Sequence, residues 1–273
     1  MEPLLTFFGF FMAILANMTG IEGGMIFVPL FILLFGLSPQ EAAGVSMATM
    51  VFGLGAGSLA YARQGRIDYR LSLALLAVSL PGTILGALLT PYLSAKSLEL
   101  LLGLLLVPLG FRMIFRREWG KIEPGVQEST KGWRRAWRDR GGMEFRYTIY
   151  CLPVGLLIYL LIGLAAGLLG IGGGAIKVPT LILLIGLPPH VAVATSVFTM
   201  AWTALAGGLT HGAIGHVLPH YVLYLVPGVL MGSQIGAWLA RRVPAASLTR
   251  LLGWIVVFMG CVILFNLFNP FGL

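Results

Sequence analysis

Two charged residues stand inside long apolar stretches of the sequence, and each lies at a cluster of glycines. Glu22 interrupts the segment 20–24 (GIEGG), and Lys177 follows the segment 170–174 (GIGGG) by about one helical turn. A lysine ammonium attracts an anion as a compact positive charge, and a carboxylate in apolar surroundings can take up and release a proton. The two residues therefore predict anion binding at Lys177 and proton exchange at Glu22, although they could instead form a buried structural ion pair.

The glycine clusters precede two apolar segments that are too short to cross a membrane. Residues 25–36 and 175–186 are 12 residues each, which gives about 18 Å of helix against a hydrocarbon core of about 30 Å. Glycine lowers the cost of leaving helical geometry, and the N–H groups that open a half-helix attract anions. The alternative explanation is close helix packing. The predicted anion site is lined by Gly23, Gly24, Gly172, Gly173 and Gly174.

Small hydroxyl side chains follow both glycine clusters at matched distances. Their spacing of three or four residues places them on one face of a helix, where they could donate hydrogen bonds to the oxygens of an anion. They could equally bond back to the helix or pack between helices. The hydroxyl candidates are Ser46, Thr49, Thr195, Ser196 and Thr199.

Three histidines near the end of a predicted helix raise the question of a metal site. His211, His216 and His220 have no cysteine or acidic cluster beside them in the sequence, and such residues usually complete a metal site built on histidine. We therefore predict surface or interfacial histidines, with no metal site and no cofactor.

The composition is that of a membrane protein. The 273 residues are 58% hydrophobic and 10% charged, with a mean hydropathy of +0.93, whereas soluble domains are about 45–50% apolar and about 25% charged. Lipid offers no partner to unpaired backbone groups, so the spans must be helices; the alternating polarity of a membrane barrel is missing. We predict an all-α, multi-pass protein of the cell membrane, in contact with lipids. The candidate helices are residues 3–19, 25–36, 41–62, 71–91, 97–116, 147–169, 175–186, 190–211, 220–240 and 246–268.

The net charge of +8 is concentrated in one segment. Residues 112–146 hold ten of the 18 basic residues, as the positive-inside rule expects of a cytoplasmic connection, and they match no nucleic-acid-binding motif. We therefore predict a charged cytoplasmic loop at 117–146 between membrane units at 1–116 and 147–273, and no nucleic-acid partner. The N-terminus has no basic stretch before its apolar run, which predicts a first membrane segment rather than a cleaved signal.

The two membrane units are copies of each other at an offset of 150 residues. Between positions 20 and 65, 21 of 46 pairs are identical at this offset. Loop 63–70 carries three arginines and its counterpart 213–220 carries none, whereas 241–242 are arginines and 91–92 are not. Basic loops that change sides in this way indicate two repeats of inverted topology. A parallel duplication is the alternative. The half-helices are either re-entrant hairpins or parts of broken spans.

These motifs resemble those of a known family. Residues 170–179 (GIGGGAIKVP) and 186–196 (GLPPHVAVATS) are similar to the TauE/SafE family of membrane permeases that export sulfite and organosulfonates. Segments 23–29 and 37–46 of the first copy are similar but looser, and Glu22 stands where the second copy has Gly172. The resemblance covers both copies and implies export of a small sulfur-containing anion, such as sulfite or sulfoacetate.

Repeats with interrupted helices are typical of secondary transporters that work by alternating access. The chain has no nucleotide-binding domain, so we predict coupling to an ion gradient, most simply to protons through Glu22. A passive anion channel, or a permease for another small anion, is the alternative. An enzyme is not expected, because the sequence contains neither an HExxH motif nor a Gly-x-Ser-x-Gly elbow. The sequence leaves the oligomeric state open.

Overall fold

The computed structural model describes residues 2–19, 24–115, 133–239 and 245–268. Its elements form two sets of five helices with a β-hairpin between them. In chain order they are α1 (Glu2–Thr19), α2 (Gly24–Phe35), α3 (Pro39–Gln64), α4 (Tyr69–Leu89), α5 (Ala95–Phe115), β1 (Trp133–Arg138), β2 (Glu144–Ile149), α6 (Leu152–Leu169), α7 (Gly174–Pro179), α8 (Pro189–Ala213), α9 (Pro219–Leu239) and α10 (Ala245–Phe268).

The predicted class, an all-α multi-pass membrane protein, is confirmed. Helices cover most of the described residues. Among these residues, four helices are long and apolar enough to cross a membrane. They are Pro39–Gln64, Tyr69–Tyr92, Leu152–Leu169 and Pro189–Ala213.

The two short helices end in the same way in both copies. Gly36 and Gly186 have positive φ angles of 63° and 86°, which glycine adopts without steric cost. The N–H of the next residue then reaches back to a carbonyl of the last turn, from Leu37 to Phe31 at 3.2 Å and from Leu187 to Leu181 at 2.9 Å. Each bond reaches one residue further back than in a Schellman motif, and the left-handed glycine again closes the end of the helix. The shared geometry explains why the Gly-Leu pair occurs at both positions.

One difference separates the short helices. The second one changes after Pro179 into a π-turn at Thr180–Leu184, closed by the N–H of Ile185 and the carbonyl of Thr180 at 3.0 Å. Single π-turns are rare and often lie at functional sites. This turn directly follows the segment that carries Lys177.

Matched helices of the two copies cross each other in opposite directions. Gly44, near the start of α3, lies against His216, just beyond the end of α8, and Met47 lies against Gly207. Beyond the end of α3, the backbone N–H of Asp68 donates a hydrogen bond to the hydroxyl of Thr195, near the start of α8. The α5–α10 pair is also antiparallel, with contacts of Gly103 with Leu264 and of Gly110 with Gly253. This is the geometry that two inverted repeats require.

Each copy also packs its first helix along the fourth helix of the other copy. Helix α1 runs parallel to α9, and Gly228 and Gly236 of α9 contact the backbone of Thr6 and Ile14. Glycines allow the two helix backbones to approach closely. Helices α6 and α4 repeat the arrangement. There the contacts are Gly82 with Leu160, Gly86 with Leu164 and Gly167 with Thr83. The two copies are therefore interlocked.

The segment between the copies differs from the prediction. Residues 133–138 and 144–149 pair as an antiparallel hairpin, so the helix predicted to begin at 147 begins at Leu152 instead. The side chains of Phe145, Tyr147 and Ile149 are buried and alternate with more exposed residues, as in a strand that covers a core on one face. The rest of the predicted loop, residues 117–132, lies outside the described residues.

Ionic and hydrogen bonds attach the hairpin to the connection between α3 and α4. The Nε of Arg66 is 3.0 Å from Oδ2 of Asp139, and both side chains are largely buried. Tyr147 donates a 2.7 Å hydrogen bond to Asp68, and Trp137 donates one to the carbonyl of Gly65 at 3.2 Å. Burial alone would raise the pKa of the Asp139 carboxyl, but hydrogen bonds from the Met143 N–H and from Arg66 hold that pKa below its usual value.

Breaking the buried pair should destabilise this end of the protein. An Arg66→Met variant leaves the Asp139 carboxylate buried without its cation, and we expect a loss of about 3 kcal/mol in the free energy of unfolding. Because the pKa of Asp139 is lowered in the folded state, the stabilisation is complete at neutral pH and is lost as the pH falls below about 4. Denaturation in mixed micelles at pH 7 measures the loss.

A matched control is available on the exposed face of the hairpin. Arg138 and Glu144 form an ion pair at 4.0 Å in which both side chains are more than half exposed. Solvent screens such pairs, so Arg138→Met should change the free energy of unfolding by less than about 1 kcal/mol. Equal effects of the two substitutions would show that the Arg66 pair does not anchor the hairpin.

Candidate functional site

Gly24, the described residue of the first glycine cluster, lies against the start of the second glycine cluster. A methyl group on Gly24, the first residue of α2, would lie 2.6 Å from the carbonyl oxygen of Gly170 and 3.0 Å from Cα of Ile171. Ser46 donates a 2.9 Å hydrogen bond to the same Gly170 carbonyl. The backbone has positive φ angles at Gly170, Gly172 and Gly173, of 69°, 69° and 85°. The start of α2 and the second predicted helix break therefore meet at one place.

Lys177 is completely buried beside this junction. Its side chain has 0% exposure, and its Nζ is 3.1 Å from the hydroxyl of Thr203. The ammonium also lies 5.9 Å from the centre of the Tyr159 ring, within the range of a cation–π interaction. Helix α7, which carries Lys177, begins at Gly174, so the glycine break sets the position of the charge.

The hydroxyl candidates on α8 line the same region. Ser196 and Thr199 are completely buried. Thr199 donates to the carbonyl of Ser196 at 2.9 Å, and Thr203 lies one turn further, within 3.2 Å of the Thr199 carbonyl. Donation to the helix backbone leaves the lone pairs of these hydroxyls available.

One hydroxyl near the junction is buried without a hydrogen bond. Thr49, which matches Thr199 in the other copy, has no partner for its hydroxyl group in the part of the chain that the structure describes. The hydroxyl of Tyr159 is also buried, and Thr199 is the hydrogen-bonding side chain beside it. Buried polar groups nearly always have a partner, so the unsatisfied hydroxyl of Thr49 indicates a place where a polar ligand could bind.

Not every predicted residue lies at this junction. Thr195 accepts a 3.1 Å hydrogen bond from the backbone N–H of Asp68, about 12 Å along α8 from Thr203, so the structure gives it a structural partner. Glu22 and Gly23 lie outside the described residues. Gly24, Ser46, Thr49, Gly172, Gly173, Gly174, Lys177, Ser196 and Thr199 are all described and buried.

The sequence reasoning did not select Tyr159 or Thr203. Thr203 continues the series of hydroxyls on α8 at a spacing of four residues, so the helical pattern could have found it. Tyr159 has no such signal, because it approaches Lys177 from a different helix.

The polar groups around Lys177 are not all repeated in the first copy. At the offset of 150 residues, the positions of Lys177, Tyr159 and Thr203 are taken by Phe27, Gly9 and Gly53. Among the described residues, the duplicated backbone therefore carries this ammonium, phenol and threonine hydroxyl in the second copy alone.

The expectation of surface histidines is wrong for His211. Its side chain has 0% exposure, and its Nε2 lies 2.8 Å from the carbonyl of Gly167. His216 is partly buried, with its Nδ1 3.1 Å from that of His211. Packing of α8 against the end of α6, which the sequence does not display, places His211 in the interior.

Comparison with known proteins identifies relatives over the whole chain. The profile of the family described as "Sulfite exporter TauE/SafE" matches residues 5–263. A Bacillus subtilis protein named "Probable membrane transporter protein YunE" is 29% identical over 96% of this chain and 97% of its own length. Another from the same organism, "Probable membrane transporter protein YdhB", is 24% identical over 94% of this chain and 97% of its own length.

A plant relative matches a shorter stretch. "Sulfite exporter TauE/SafE family protein 3" of Arabidopsis thaliana is 31% identical over 41% of this chain and 24% of its own length. No solved structure matches the chain.

Proposed function

The chain belongs to the TauE/SafE family of sulfite exporters, and from that premise we propose that it is a secondary transporter that exports a small sulfur-containing anion, sulfite or a short organosulfonate such as sulfoacetate. The observation that carries this proposal is the buried ammonium of Lys177 beside the junction of the two glycine breaks. A buried charge in a membrane protein is costly and marks a substrate site or pathway by default.

The chemistry of the pocket suits an oxyanion. Lys177 supplies a positive charge, and the Tyr159 ring 5.9 Å away carries a further hydroxyl. The hydroxyls of Thr199 and Thr203 donate to backbone carbonyls of α8 in this structure, so they would donate to a bound anion only after rotating away from those carbonyls. Charge-assisted hydrogen bonds to anionic oxygens are roughly twice as strong as neutral ones. The substrate would be held between the second copy's half-helix and α8. The names of the relatives support the sulfur-anion assignment.

The proposed mechanism is alternating access between two inverted repeats. The antiparallel crossings of α3 with α8 and of α5 with α10 support this topology. In such transporters one repeat rocks against the other around a site near the middle of the membrane. The positive-inside rule would place the hairpin end, with Arg66 and Arg70, in the cytoplasm.

We propose that a proton gradient drives transport through Glu22. Purified protein in proteoliposomes is expected to show saturable flux of labelled sulfite, sulfoacetate or thiosulfate that rises when a pH gradient is imposed. Glu22→Gln keeps the size of the side chain and removes its titration, so the effect of the gradient should fall to none. Flux with and without the gradient measures this.

The control for that substitution is Glu144→Gln, because Glu144 is more than half exposed on the hairpin. It should leave the response to the gradient unchanged. Gradient-driven flux that persists in Glu22→Gln would remove Glu22 from the coupling mechanism. Flux of all three anions at the level of empty liposomes, in folded protein, would remove the sulfur-anion assignment and favour a permease for another small anion.

A passive anion channel is the second candidate, because a charged side chain between helices can also line a pore. Counterflow separates the two. A carrier loaded with unlabelled anion on one side accelerates the entry of labelled anion from the other, whereas a channel does not. Counterflow in wild-type protein would support the carrier.

A further inference from the structure

The His211 and His216 side chains form a hydrogen-bonded pair at the end of α8. The Nε2 of His211 lies 2.8 Å from the carbonyl oxygen of Gly167, and a carbonyl only accepts hydrogen bonds. Nε2 of His211 must therefore carry the proton. In the neutral ring, Nδ1 of His211 then carries a lone pair and can only accept a hydrogen bond. The 3.1 Å contact between the two Nδ1 atoms accordingly requires that Nδ1 of His216 donate.

This assignment limits what the pair can bind. With both rings neutral, the nitrogen left with a lone pair for an incoming proton is Nε2 of His216, on the partly exposed ring. A proton that binds there makes His216 an imidazolium. The proton on its Nδ1 can then move across the 3.1 Å contact to His211, which passes the charge inward. If both rings became imidazolium, two N–H donors would face each other and the contact would break. The pair therefore takes up one proton beyond the two that the neutral rings carry.

The matched position in the first copy makes the same hydrogen bond without an imidazole. Tyr61 matches His211, and its hydroxyl donates to the carbonyl of Asn17 at 2.9 Å; Asn17 matches Gly167. Arg66, which keeps its charge at every physiological pH, matches His216. The helix-to-helix contact is thus common to both copies. Only the second copy, among the described residues, builds it from imidazole groups, the side chains whose unperturbed pKa lies near neutral pH.

Few charges face the pair. His216 lies in the connection between α8 and α9, and burial lowers the pKa of its imidazole, while the negative charge of Glu41 at the start of α3 opposes this effect. The parts of α4 and α6 at this end carry no ionisable side chain. The remaining ionisable groups at this end of the described structure are Tyr92, Lys96, Glu99, His220 and Tyr221.

We propose that His211 and His216 form a binding site for one proton, at the end of α8 remote from the hairpin. The proton enters at Nε2 of His216 and changes the hydrogen bond that His211 makes to Gly167, three residues before the Gly170 break. Proton binding here is independent of the proposed function. The link between this proton and transport rests on the proposed function. That link places the entry of protons on the side of the membrane opposite the hairpin.

Nitrogen-15 NMR of histidine-labelled, full-length protein in nanodiscs tests the site without any transport. Burial lowers the pKa of His216 below the ordinary histidine value of about 6.5. As the pH falls from about 8 to about 4, we expect the His211 and His216 rings to change together and to take up one proton between them. In His216→Gln, His211 should stay neutral through this range, because its route to water is lost. His211 signals that titrate unchanged in His216→Gln, or a wild-type pair that takes up no proton or two, would overturn the proposal.

Two further variants separate the pair from transport itself. His211→Tyr installs the residue that the first copy uses, keeps the donor to Gly167 and removes the titration. If it folds poorly, His216→Arg supplies the permanent charge found at Arg66 instead. In both, flux should lose its dependence on the pH of the side facing His216, which for one proton is at most about tenfold per pH unit.

The control is His220→Gln. His220 is exposed and contacts the Tyr221 ring, so the pH dependence of flux should stay as in wild type. If NMR shows the shared proton but wild-type flux ignores pH, the proton site stands and proton coupling in the proposed function fails. If NMR shows no shared proton, the site fails whatever the flux does.

Discussion

Replacing Lys177 by methionine is expected to raise the anion concentration for half-maximal flux by about 30-fold or more. Methionine has a similar length and stays compatible with a buried position, but it removes the charge that attracts the anion. Removing one partner of a buried charge contact costs at least about 2 kcal/mol, which is a factor of about 30 in affinity. Initial rates over a range of sulfite concentrations in proteoliposomes measure the change.

The control for Lys177→Met is Lys96→Met, at an exposed position at the start of α5. It removes the same charge from the chain and should leave the apparent affinity unchanged. Lys177→Arg is informative as well, because it keeps the charge and changes its shape. An unchanged affinity in folded Lys177→Met protein would show that the lysine has a structural role and that the anion binds elsewhere.

Replacing Gly170 by alanine is expected to prevent folding. The φ angle of Gly170 is +69°, a conformation that costs an alanine about 1–2 kcal/mol. Its methyl group would also overlap Cα of Ala43 in α3, and backbone atoms cannot move aside as a flexible side chain can. We expect a total loss of more than about 4 kcal/mol in the free energy of unfolding. Size-exclusion chromatography and thermal unfolding in detergent measure this.

Gly55→Ala provides the contrast. Gly55 lies in the interior of α3, and an added methyl group meets no atom within 4 Å. Alanine favours a helix over glycine by about 1 kcal/mol, so this variant should be as stable as wild type or slightly more stable. Wild-type stability of Gly170→Ala would show that the close contact of Gly170 with α3 is not required by the fold.

Much of the fold could be predicted because it depends on local patterns. The length of an apolar segment decides whether it can span the membrane, which found the short helices that begin at Gly24 and Gly174. At the offset of 150 residues Gly186 matches Gly36, and both end a half-helix. Lys177 could be selected because a charge inside an apolar segment is costly and therefore uncommon.

The rest depends on contacts between distant segments. The strand 144–149 alternates buried and exposed residues, but its apolar side chains run on into α6, so a count of apolar residues extended the helix to 147. Tyr159 reaches Lys177 from another helix, and His211 is buried by packing against the end of α6. Neither position is marked by its neighbours in the sequence.

The exchange of first helices between the two copies has a consequence for how the protein is made. Thr6 on α1 donates a 2.6 Å hydrogen bond to Tyr224 on α9, across 218 residues of chain. At about 5–20 residues per second, α1 leaves the ribosome roughly ten to forty seconds before its partner exists. Until α9 is made, the face of α1 that packs against the glycines of α9 is exposed to lipid. Neither half of the gene, translated alone, encodes a complete set of helix contacts, whereas two halves translated together do.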